Sequence, residues 1–98
     1  MRQKTQVRLA GAAARRAATC RIIAAEMLRL RKAAGLSQDQ ASEAGGFDRT
    51  FPSLLERKLR VPRLPTFIRY VRSLGADPAE VVARLEKKLD AEGLLQWE

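Results

Sequence analysis

The chain has 98 residues, with 19 Lys and Arg against 11 Asp and Glu, a formal net charge of +8, no histidine and one cysteine. That length holds one modest domain. The missing histidine excludes Ser-His-Asp and Cys-His catalysis and almost every zinc site, Cys20 lacks a partner for an internal disulfide, and no apolar run is long enough to span a membrane or act as a secretory signal.

Residues 1–18 are basic and Ala-rich, with high helix propensity but little to bury. They form either a basic arm or an extension of the first helix, with Gly11 its weakest link. From Thr19 the pattern turns amphipathic: Ile23, Met27, Leu30 and Ala34 fall on one face, and Gly35 ends the helix. Ser37 with Gln40 three residues on is a capping box, and Asp39 suits the positive end of the helix dipole. Gly45-Gly46 stops this short second helix. Asp48 is a good residue to open a third, expected over Arg49 to about Lys58, where Pro52 at the fourth position loses one hydrogen bond.

A loop with Pro62 leads to a fourth helix, Leu64 to Leu74, with Phe67, Ile68, Val71 and Leu74 as its apolar stripe. Asp77-Pro78-Ala79-Glu80 opens a fifth, carrying Val81, Val82, Leu85 and Leu89 and ending near Gly93. The expected core includes Ile23, Met27, Leu30, Phe47, Leu55, Phe67 and Val71. No strand pattern and no internal repeat occur. The organisation is thus 1–18 arm or extension, 19–92 helical domain and 93–98 apolar tail.

Charge is unevenly placed. Residues 1–36 carry nine bases and Glu26 alone, whereas residues 37–98 carry ten bases and ten acids. Within that neutral part, residues 49–72 hold seven bases against Glu56 alone, so +6. Such a block points to a polyanion partner. It coincides with two short helices joined by a glycine turn, the pattern of a helix-turn-helix. The helix after the turn sets Arg49, Thr50, Ser53, Leu54 and Arg57 along one face, followed by Arg60 and Arg63. Polar residues near the helix start can reach base edges while flanking cations meet phosphates.

Met27-Leu-Arg-Leu-Arg-Lys-Ala-Ala-Gly-Leu-Ser-Gln, Gly46-Phe-Asp-Arg-Thr-Phe-Pro-Ser-Leu-Leu-Glu-Arg, Pro62 and Arg72-Ser-Leu-Gly together resemble the lambda-repressor-like, Xre/Cro-type helix-turn-helix family over roughly residues 23–90. The resemblance implies an all-α, compact five-helix bundle that binds operator DNA as a homodimer. It gives Arg49, Thr50, Ser53 and Leu54 as base contacts. Gln38 falls at a phosphate contact, and Arg57, Lys58, Arg60 and Arg63 lie near the DNA backbone. Arg31 and Glu56 match a structural ion pair between the first and third helices. Three places depart from the family pattern. Ala41 and Ser42 stand where Leu and Ala are usual, which thins the second helix's packing. Pro52 replaces a β-branched residue, which bends or rotates the start of the third helix. Lys58 replaces Gly, which makes the turn after it non-standard.

The expected function is a sequence-specific, double-stranded-DNA-binding transcriptional regulator, a repressor reading a near-palindromic operator with two third helices about 34 Å apart. Leu94, Leu95 and Trp97 either pack on their own chain or, with Leu89, form the dimer contact. The alternative is a protein-interaction module such as an antitoxin or antiactivator, with a toxin or another regulator as partner. Neither reading needs a catalytic residue, a metal or a cofactor, and the expected setting is the cytoplasm, for a bacterial or phage-encoded, DNA-associated chain, away from membranes.

Overall fold

A computed structural model describes the backbone of residues 2–96 and the side chains of residues 11–96. Among these residues every regular element is a helix: α1 (Arg2–Ala33), α2 (Gln38–Gly45), α3 (Phe51–Glu56), α4 (Leu64–Ser73) and α5 (Pro78–Ala91). The five-helix, all-α architecture expected from the sequence is the one observed. None of these helices is long and apolar enough to cross a membrane.

The Ala-rich stretch and the amphipathic helix are one continuous helix of 32 residues. At 1.5 Å per residue α1 is about 48 Å long, and it accounts for the long axis of a molecule measuring 52 × 25 × 21 Å. Gly11 does not interrupt it, since one glycine costs about 1 kcal/mol relative to alanine and is outweighed by its alanine-rich neighbours. Arg15 anchors the middle of α1 by donating to the backbone carbonyls of Gly93 and Gln96, beyond the end of α5.

The core gathers Ile22, Met27 and Leu30 from α1, Ala41 from α2, Phe51 and Leu55 from α3, Phe67, Tyr70 and Val71 from α4, and Val81 and Leu85 from α5. Ile23 and Phe47 are partly buried against it. Two residues assigned to apolar stripes face outward instead: Ile68 is 37% exposed and Val82 is 47% exposed. On α4 the buried series is Phe67, Tyr70, Val71 and Leu74, spaced i, i+3, i+4, i+7, which leaves Ile68 beside the stripe.

Two candidate dimer contacts are used within the chain. Leu89 and Leu94 pack partly buried against the protein's own core, because the chain turns back after α5 and the Leu94 amide donates to the Leu89 carbonyl at 2.9 Å. Leu95 stays 40% exposed. Trp97 lies outside the described residues.

Glu26, whose role the sequence pattern hides, is fully buried. Its carboxylate accepts two bonds from Arg29 (3.1 and 2.7 Å), one from Arg84 Nε (3.1 Å) and one from Lys88 Nζ (3.1 Å). The hydrogen bonds from Arg29, then Lys88 and Arg84, outweigh burial and hold its pKa down to about 2. This cluster ties α1 to α5 through two residues, Arg84 and Lys88, that helical periodicity places on a polar face.

Candidate nucleic-acid interface

The surface built by α2, α3 and the turn between them starts from a well-capped helix. Ser37 Oγ accepts from the Gln40 amide at 3.1 Å, and Gln40 Oε1 accepts from the Ser37 amide at 2.8 Å. At its other end the two glycines do different work. Gly46 takes a left-handed conformation (φ 68°), so its amide and that of Phe47 can close the helix on Glu43 and Ser42. Gly45 makes room: a Cβ there would stand 2.2 Å from the Phe47 ring and 2.9 Å from Ser73 Oγ.

Phe47 is the pivot of the turn. It stacks on Phe51 at 4.8 Å between ring centroids, meets Tyr70 edge-on at 5.4 Å, and carries the Arg69 guanidinium 4.4 Å above its ring. Phe51 also meets Tyr70 edge-on, at 5.5 Å. This cluster clamps the start of α3 onto α4. Phe51 and Tyr70 were not among the expected core residues, although the i, i+4 spacing of Phe47 and Phe51 carried the signal.

The third helix is shorter than expected. It spans Phe51–Glu56, not Arg49 to about Lys58. Asp48 Oδ1 accepts from both the Thr50 amide (2.9 Å) and the Thr50 hydroxyl (2.6 Å), which makes residues 48–50 a turn ahead of the helix. Those two bonds, with Arg60 nearby, hold the exposed Asp48 carboxyl below its usual range. Pro52 then falls at the second helical position, where no intrahelical amide bond is due, so neither the lost hydrogen bond nor the bent start arises.

After α3 the turn is also the standard one. Lys58 adopts the left-handed conformation (φ 65°) that glycine usually supplies, and the Leu59 amide closes on the Leu54 carbonyl at 3.0 Å. Ala41 and Ser42 of α2 still face the interior. Both are buried, and Ser42 Oγ satisfies itself on the Asp39 carbonyl at 2.7 Å.

Behind α3 lies the Arg31–Glu56 pair. Arg31 Nε and Nη2 reach the two Glu56 oxygens at 2.6 and 2.9 Å, and Arg31 Nη1 donates to the Leu36 carbonyl at 2.8 Å. Gln38 Nε2 adds a third bond to Glu56 at 3.1 Å. The Arg31 and Glu56 side chains are only 13% and 6% exposed, so the clamp is a nearly buried junction of α1, α2 and α3. Gln38 therefore spends its side-chain amide inside the protein. What it can offer an anion is backbone N–H at the start of α2, where the first-turn amides have no intrahelical acceptor.

The remaining site residues are distributed as follows. Arg49 is highly exposed and makes a 3.3 Å surface ion pair with Asp39. Thr50 is exposed, while Ser53 and Leu54 are half-buried on α3. Arg57, Lys58, Arg60 and Arg63 are all exposed on the segment that follows. Thus Arg49 and Thr50 belong to the turn, Ser53 and Leu54 to the helix, and the four cations to its end and the loop beyond. Among the described residues no group of three or more His, Cys, Asp or Glu could hold a metal ion. Comparison with protein-family models, with curated proteins and with solved structures finds no match to this chain.

Proposed function

We propose that this chain is a sequence-specific double-stranded-DNA-binding regulator that acts as a homodimeric repressor. In this reading α2 and α3 form a helix-turn-helix. The turn at 48–50 and the short α3 enter the major groove, with Arg49, Thr50, Ser53 and Leu54 toward the bases and Arg57, Lys58, Arg60 and Arg63 toward phosphates. One observation carries it: a nearly buried three-helix clamp, Arg31–Glu56–Gln38, ties α3 to α1 and α2 behind a surface whose exposed ends are cationic. A reading element must be pre-positioned, because register errors forfeit bidentate base contacts worth about 1–3 kcal/mol each.

Salt and sequence dependence test the reading. If four cations per protomer neutralise phosphates, a dimer's log K against log salt has a slope of about −7. Titration of DNA from its own upstream region should show tight binding that survives competitor DNA. Arg49→Ala should relax the preference at one base position in each half-site, as read by selection from randomised operators. Equal affinity for the upstream region and for random DNA would sink the proposal.

A further inference from the structure

We infer that the groove between α4 and the start of α5 is the seam of a two-fold dimer of this chain. The inference takes the homodimer from the reading above but does not depend on DNA. Among the described residues six large apolar side chains are exposed, and five of them, Leu59, Val61, Leu64, Ile68 and Val82, lie between residues 59 and 82. Leu64, Ile68 and Val82, with Pro78, line one open groove of about 660 Å³. The groove is therefore an apolar surface presented to solvent, whereas Leu89 and Leu94 of the C-terminal region are already used against the chain's own core.

Charge selects the occupant. The same groove is bordered by Arg72 and by Asp77. Among the described residues neither makes an ion pair, and the Asp77 carboxylate accepts the Ala79 amide at 3.0 Å as the cap of α5. One cation and one anion beside a single apolar groove make the face self-complementary. A two-fold axis through it lays Leu64, Ile68 and Val82 on their symmetry mates and sets each Arg72 toward the other copy's Asp77. The seam follows the proposed reading surface in the chain, α4 beginning eight residues after α3 ends.

The test is sedimentation equilibrium of the full chain from 1 to 200 µM, without DNA. The wild type should pass from the 10.9 kDa monomer to twice that mass. Ile68→Glu and Val82→Glu should each weaken association at least tenfold, and Asp77→Asn, which keeps a capping side chain, severalfold. Leu95→Glu should leave it unchanged. All these positions are exposed, and circular dichroism melts confirm that each variant folds; Leu64→Lys replaces any that does not. A wild type that stays monomeric at 200 µM, or a dimer that survives the groove variants and dissolves in Leu95→Glu, overturns the seam. If the groove variants dissolve the dimer and no DNA preference is found, the seam stands and the DNA reading falls; specific DNA binding by a dimer that the groove variants leave intact gives the reverse.

Discussion

Replacing Glu26 by Gln keeps the shape of a fully buried side chain and removes the charge on which Arg29, Arg84 and Lys88 converge. A carboxyl held at about 2 in the folded protein, against 4.5 as its ordinary value, corresponds to about 3 kcal/mol of stability at neutral pH. The three cations are 41–47% exposed, so solvent screens part of this, and about 2 kcal/mol is expected. For a domain of this size that lowers the melting temperature by about 8–16 °C. The sign with pH follows from the depressed pKa. The contribution is complete above the ordinary value of 4.5 and is lost as pH falls from there toward 2. Thermal melts of wild type and Glu26→Gln from pH 7 to pH 2 should therefore show a gap that is constant down to about pH 5 and closes below it. A variant that melts within 2 °C of wild type at pH 7, or a gap of the same size at pH 2.5, would refute the assignment of α1–α5 cohesion to this cluster.

Three further substitutions test local geometry. Lys58→Gly relieves a side chain held at φ 65° and should gain about 0.5–1 kcal/mol, read as a melting temperature raised by a few degrees; a lower one would mean the left-handed turn is not populated. Gly45→Ala drives a methyl group into the Phe47 ring and should cost about 1–3 kcal/mol by urea unfolding, while unchanged stability would show that Phe47 does not sit against α2. The Tyr70 hydroxyl is buried with no hydrogen-bond partner among the described residues, and burial, then the Glu56 charge, push its pKa up to about 12. Tyr70→Phe should be neutral or stabilising by up to about 1 kcal/mol; a loss of more than 1 kcal/mol would show that the hydroxyl is bonded.

The aromatic turn and the Glu56 clamp together fix the surface built by α2 and α3. Its position is set by groups that do not face outward: Phe47, Phe51 and Tyr70 on one side, and Arg31, Glu56 and Gln38 behind. Gln38 shows how a residue suited to touching an anion can instead be drawn inward, because a nearly buried carboxylate needs more donors than one arginine supplies.

Local chemistry in the sequence determined the five helices and most of their ends. Ser37 with Gln40, Asp77 with Pro78, and the glycines after α1, α2 and α4 act within a few residues of chain, so their signals are readable without a fold. The placement of exposed cations around the end of α3 was legible for the same reason. Tertiary structure alone decided three things. It set α3 two residues later than its periodicity suggests, because Phe51 was drawn into an aromatic cluster with Tyr70 of α4, behind the local Asp48–Thr50 turn. It turned Ile68 and Val82 outward, because α4 and α5 each bury only one stripe and Tyr70, rather than Ile68, fits the α4 side of the core. And it buried Glu26, because Arg84 and Lys88, 58 and 62 residues away in sequence, arrive beside it only when α5 packs on α1. Each depends on which distant residues meet, and hydrophobic periodicity along one helix carries no information about that.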